Sequence, residues 1–179
     1  LNIKDLKLFR NFLSLCAARA GQLLNLNSLA NECDISHPTA KSWLSLLESS
    51  YLIFLPQPFH QNFNKRVVKS PKLYFYDIGL LNYLLGIKTS SSLEIDRLKG
   101  NIFENMIVAE FQKRNHHQYL LQEYNFWQDS NANEIDILVK NESGFDVFEI
   151  KATQTITSDL FKQMDRFGEL AAPTKVNKT

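Results

Sequence analysis

Between Asp5 and Ala20 the apolar residues Leu6, Leu8, Phe9, Phe12, Leu13, Leu15 and Cys16 recur at mixed three- and four-residue spacing. That period predicts an amphipathic helix, with Gly21 as its C-terminal stop. Asn27 or Ser28 opens a short helical run, SLANECD. Ser36 is placed to cap a third helix that tolerates Pro38 in its first turn and sets Ala40, Trp43, Leu44 and Leu47 on one face. YLIFLP then reads as a strand, QPFHQNFN as a long turn and VVKSPKLYFYD as returning extended structure. Three helices followed by a hairpin are the pattern of a winged helix-turn-helix.

A short helix follows in YFYDIGLLNYLLG, with Asp77 as its N-cap and Gly86 as its end. KTSSSLEID is the one linker-like shift in composition, so the predicted domains are residues 1–86 and 87–179. The second begins with a helix from Ile95 to Asn115 on which Glu104 shares a face with Ile107, Val108 and Phe111. A carboxylate in an apolar stripe needs a partner. Gly100, one turn earlier, would let another backbone come close. His116 and His117 end this helix, where they suit its dipole.

After an extended aromatic run, EIDILV and FDVFEIK form two strands joined by the turn KNESG. The last helix is expected from an N-cap at Ser158, with Leu160, Phe161, Met164, Phe167 and Leu170 on its apolar side. The second half is therefore α-β-β-β-α, in a chain of mixed α/β class.

Composition changes this picture little. Hydrophobic residues at 44% and 13 Phe among 179 residues are ample for two cores. A net charge of +1 gives no global argument for a nucleic-acid partner, so any such role rests on local cations. Lys65, Arg66, Lys69 and Lys72 lie on the expected wing and its return with no acidic residue among them, and Lys41 lies on the third helix. These suit phosphate contacts to DNA or RNA; the helix has no Arg for bidentate reading of guanine. A protein-docking role for the same module is equally compatible with these residues. Cys16 and Cys33 have no metal-type spacing and read as buried thiols of a reducing compartment, the cytoplasm. No apolar run approaches the roughly 18–20 residues that span a bilayer. Neither G-x-x-x-x-G-K-[ST] nor G-x-G-x-x-G occurs. Leu1 falls in mid-pattern, as in a piece of a longer chain.

The chemistry concentrates in the hairpin from Asn133 to Lys151. Glu149 and Lys151, two residues apart, project from one face, and in the simplest register Asp136 lies near them. Two carboxylates and an ammonium framed by Ile, Leu, Val and Phe are typical of a metal-binding patch rather than of a solvated surface.

Glu104 on a helix, Asp136 on the second strand and Glu-x-Lys on the third resemble the PD-(D/E)XK restriction-endonuclease-like fold, with Ile135 where the formal motif has Pro. More particularly, PKLYFYDIGLLNYLLG, KGNIFENMIVAEF, FWQDSNANEIDILV and FEIKA resemble, in order, a domain of unknown function found behind the ATPase core of bacterial and archaeal AAA-type ATPases. There a winged helix leads into a nuclease-like domain. The resemblance implies Mg²⁺ or Mn²⁺ held by Asp136, Glu149 and the Ile150 carbonyl, with Glu104 completing the shell. It implies Lys151 as the catalytic cation and Gln163 as a further phosphate or lysine contact. It also implies DNA or RNA as partner, and ATP only on an N-terminal domain outside this chain. It places the protein in the cytoplasm, away from membranes, and is compatible with an oligomer. The further strand with which such a core ends is expected to be missing or not covered. The competing expectation is a catalytically silent docking module for the ATPase.

Overall fold

The structure is a computed structural model that describes residues 5–60, 68–94, 97–153, 155 and 161–179. The chain gathers into two compact units, one of Leu1–Leu55 and Lys72–Ala109, the other of Pro56–Pro71 and Glu110–Thr179.

In the first unit α1 (Leu6–Ala17), α2 (Leu26–Glu32) and α3 (His37–Ser49) are each opened by a side-chain cap. Asp5 accepts from the Lys7 and Leu8 amides, Asn25 from Ser28 and Ser36 from Thr39. These caps satisfy amides that the first turn cannot. The α2 cap is thus Asn25, ahead of the expected Asn27 or Ser28. Gly21 does not stop α1, which ends at Ala17. With φ at 75° Gly21 turns the chain so that its N–H donates to the Leu73 carbonyl at 2.8 Å.

Next, β1 (Ile53–Phe54) pairs antiparallel with β2 (Tyr74–Phe75). Both strands are shorter than their apolar runs suggested. α4 (Ile78–Leu84), with Asp77 as N-cap, and α5 (Ser90–Glu94) follow, and then α6 (Lys99–His117) begins. The core joins Phe12, Leu29, Leu47, Ile53, Leu73, Phe75 and Leu81, and Trp43 meets Phe9 and Phe12 edge-on. Cys16 and Cys33 are buried there as free thiols. Leu93, Leu98 and Ile102 pack on the same core, so the Ser/Thr-rich segment lies inside the first unit and does not divide the packing at residue 86. Asn105, wholly buried, accepts from the Phe75 N–H and donates to its carbonyl, each at 2.8 Å, so a helix side chain completes the ladder of β2.

The second unit takes the end of α6, then β3 (Tyr124–Gln128), β4 (Glu134–Asn141), β5 (Gly144–Phe148), α7 (Lys162–Ala171) and β6 (Lys175–Lys178). The sheet order is β3-β4-β5-β6, antiparallel except that β6 runs parallel to β5. The final strand is therefore present, contrary to expectation. It has one half-buried apolar residue, Val176, among exposed Lys175, Asn177 and Lys178. Polar edge strands of this kind resist pairing with other chains, and for that reason look like tails in sequence.

Two glycine expectations change places. Around Gly100 nothing lies within 4 Å of where a Cβ would stand, whereas at Gly144 (φ 148°) a Cβ would sit 2.0 Å from the Lys175 carbonyl oxygen. The close approach thus belongs to the β5–β6 pair. Pro58 and Phe59, read as part of a long turn, do more than turn the chain: Pro58 bridges Phe126 in parallel, the Phe59 N–H donates to the Phe126 carbonyl at 2.7 Å and Phe59 packs edge-on against Phe145. The core beneath α7 contains Trp127, Ile135, Leu138, Phe145, Val147, Met164 and Phe167. Among the described residues no helix is long and apolar enough to cross a membrane.

Candidate metal centre

Asn125 pairs with Leu138 and Trp127 with Ile135, so two steps along β3 face three along β4. The extra residue is a β-bulge in the stretch that carries Asp136. Past the other end of the hairpin ladder, where Ile137 faces Phe148, β5 stops. Glu149, Ile150 and Lys151 thus lie just beyond the strand, not within it as their alternation suggested. The Glu149 N–H still donates to the Thr179 carbonyl, and Thr179 donates to Val147, so the end of the chain fixes this stretch.

Asp136, Glu149, Ile150 and Lys151, all expected at the site, come together here. The Ile150 N–H donates to Asp136 Oδ2 at 2.7 Å, and Lys151 Nζ lies 2.6 Å from Glu149 Oε1 and 3.6 Å from Asp136 Oδ2. The Asp136 and Glu149 side chains are only 4% and 8% exposed, while Lys151 is about half exposed. Burial first, and then the Asp136 carboxylate, push the Glu149 carboxyl up to about 7, against the pull of Lys151; Glu134 adds to the rise. Glu149 Oε2 is buried without a hydrogen-bond partner. Oxygen donors with no nitrogen or sulfur are the set that suits a hard cation such as Mg²⁺ or Mn²⁺. The orphaned carboxylate oxygen is what such an ion would satisfy, so these residues fit the metal that the resemblance implies.

Other expected residues have partners or surroundings of their own. Glu104 belongs to the first unit, where it accepts from Lys72 Nζ at 2.8 Å and from the Tyr74 hydroxyl at 2.5 Å. Lys72 is 3% exposed, so the expectation that it contacts nucleic acid is corrected: its ammonium is buried and neutralised by Glu104. Lys41 on α3 and Lys69 in the second unit are exposed. Lys65 and Arg66, and the proposed cap Ser158 with Leu160, lie outside the described residues. Gln163 is half-buried on α7, with its Oε1 unpartnered.

One acidic residue of the patch was not anticipated. Glu134 and Asp136 each bring a carboxylate oxygen within 4.8 Å of the other. Their two-residue spacing is the same signal that singled out Glu149 and Lys151. Gln128, opposite Glu134 in the ladder, donates to Glu134 Oε2 at 2.7 Å.

The uncharacterized protein Rv2008c of Mycobacterium tuberculosis is 30% identical over 135 residues, covering 75% of this chain and 30% of the relative. The uncharacterized protein Mb2031c of Mycobacterium bovis matches to the same extent. The uncharacterized protein MJ1544 of Methanocaldococcus jannaschii is 28% identical over 144 residues, 79% of this chain and 30% of its own length. The chain thus spans about a third of the length of the curated relatives it matches. No solved structure matches it. Residues 99–178 match the domain of unknown function DUF4143, so the family boundary falls near the Ser/Thr-rich segment although the packing boundary does not. Residues 1–91 match the domain of unknown function DUF8612, and the chain belongs to that family.

Proposed function

We propose that the chain is the part of an AAA-type ATPase that lies behind its ATPase core, and that its second unit hydrolyses phosphodiester bonds of DNA or RNA with a divalent metal. The observation that carries this reading is the convergence of Asp136, Glu149 and Lys151 around a buried, unpartnered carboxylate oxygen. The element order α6-β3-β4-β5-α7-β6 supports a PD-(D/E)XK nuclease-like fold for this unit. In the first unit, three capped helices followed by an antiparallel strand pair support a winged-helix reading, with Lys41 exposed for phosphate contact.

Asp136, Glu149 and the Ile150 carbonyl would hold the cation. When bound, it supplies Lewis acidity and a more acidic water. The protein's own residues do the rest. The Ile150 N–H holds the Asp136 carboxylate in one orientation. Burial keeps bulk water from competing for the carboxylates. Lys151, its ammonium held against Glu149 and its side chain half exposed, places a positive charge where a phosphoryl oxygen becomes more negative.

A second reading has an observation of its own: Lys151 pairs with both carboxylates, the arrangement of a structural ion pair. The unit would then be a silent module through which the ATPase docks nucleic acid or protein. Incubation with supercoiled plasmid and labelled RNA, in Mg²⁺, Mn²⁺ or EDTA, separates the two. Cleavage that needs metal and is lost in both Asp136→Asn and Lys151→Ala supports hydrolysis. Absence of cleavage by the parent chain, or cleavage that survives in both variants, overturns it.

A further inference from the structure

We propose that Glu134 is a third carboxylate ligand of this metal centre and that Gln128 is its positioning residue. The inference rests on the metal-binding reading of Asp136 and Glu149 and extends it to residues outside the resemblance.

The backbone makes the arrangement possible. Glu134 and Asp136 flank Ile135 on β4, and Ile135 is directed into the core beneath α7. Its two neighbours are thereby directed away from that core. Their carboxylate oxygens approach within 4.8 Å. Two oxygens on opposite sides of one ion, each roughly 2.0–2.6 Å from it, are separated by about that distance. Glu149, its side chain 8% exposed, contributes the buried Oε2 that has no partner, and the charge of Glu134 is felt there.

Gln128 shows how Glu134 is held. Its amide nitrogen donates to Glu134 Oε2 at 2.7 Å, while its own Oε1 is buried without a partner. Turning the amide over would set two acceptors against each other, so the orientation is fixed despite the orphaned oxygen. A neutral donor orients Glu134 without neutralising it, as a partner around a metal ligand does.

The test is Mn²⁺ binding by the chain, followed by electron paramagnetic resonance and by calorimetry, without substrate. The variants are Glu134→Gln, Gln128→Ala and Asp136→Asn, with thermal unfolding in EDTA as the folding control. Glu134→Gln should weaken Mn²⁺ binding at least tenfold and alter the resonance line shape of any residual complex, while unfolding as the parent does. Gln128→Ala should weaken it by about 10–100-fold, and Gln128→Asn should recover part of the loss. Unchanged Mn²⁺ affinity in Glu134→Gln, with binding lost in Asp136→Asn, overturns the role of Glu134 and leaves the metal reading standing. No Mn²⁺ binding by the parent chain overturns both.

Discussion

Ile135 and Leu138 are three residues apart on one strand, yet both side chains enter the core beneath α7. In a regular strand residues at that spacing point to opposite faces. The bulge opposite Asn125 and Trp127 absorbs one residue and restores Ile135 to the core face. Its consequence is chemical. Asp136, next to Ile135, is buried beside Ile150 and Lys151 and not lost into the apolar core.

Glu149 gives the clearest dependence on pH. Its carboxyl is raised from 4.5 to about 7, chiefly by burial. The native state therefore keeps this proton to higher pH than the unfolded chain does, and the stabilisation is complete below about 4.5. It is lost as pH rises through about 7, where burying the charge costs most. In metal-free buffer, Glu149→Gln removes this titration. Its melting temperature relative to the parent should rise between pH 4.5 and 7 and level off above. A difference that stays flat across that range would contradict the raised value.

Lys72 and Glu104 form a buried ion pair, and Tyr74 also donates to the carboxylate. Removing one partner of such a pair costs about 3–5 kcal/mol because the other is left charged and buried. Lys72→Met should cost that much in urea unfolding, and Lys72→Met with Glu104→Gln should recover much of it. A loss below about 1 kcal/mol in the single variant would return Lys72 to the pool of ordinary surface cations.

Asn105 satisfies both backbone groups of Phe75 from inside the first unit. Asn105→Ala leaves a buried N–H and a buried carbonyl unpaired, at about 1–3 kcal/mol for each. Asn105→Asp keeps the acceptor but sets a carboxylate against the Phe75 carbonyl, so it should be no milder. Denaturant midpoints for the two variants, with exchange of the Phe75 amide, check this.

Much of this was legible in the chain because it depends on local signals. Ser36 and Asp77 as caps, the helical period through Phe12 and Cys16, and the alternation in EIDILV each act over a few residues. What was not legible depends on partners distant in sequence. Lys72 resembles a wing cation in sequence, and only the fold sets Glu104, 32 residues away, against it. Glu134 carries with Asp136 the same two-residue signal that Glu149 carries with Lys151. PTKVNKT resembles a tail because its strand gains more from backbone pairing than from side-chain burial.

Gly144 decides whether that last strand can dock. It pairs with Lys175 at the start of the parallel β5–β6 ladder, and at φ 148° it occupies backbone space that L side chains rarely enter. A Cβ there would lie 2.0 Å from the Lys175 carbonyl oxygen, inside any contact distance, and the obstacle is backbone that no side-chain rotation can relieve. Gly144→Ala should therefore cost about 1–3 kcal/mol in strain alone and release the ladder from Lys175 to Lys178. Because Thr179 bonds to Val147 and Glu149, the loss should spread to the stretch that carries Glu149 and Lys151. Hydrogen exchange reads both effects: faster exchange at Asn177, Thr179 and Glu149, with the α1–α3 amides unchanged. Unchanged exchange at Glu149 would show that the carboxylate patch holds its shape without β6.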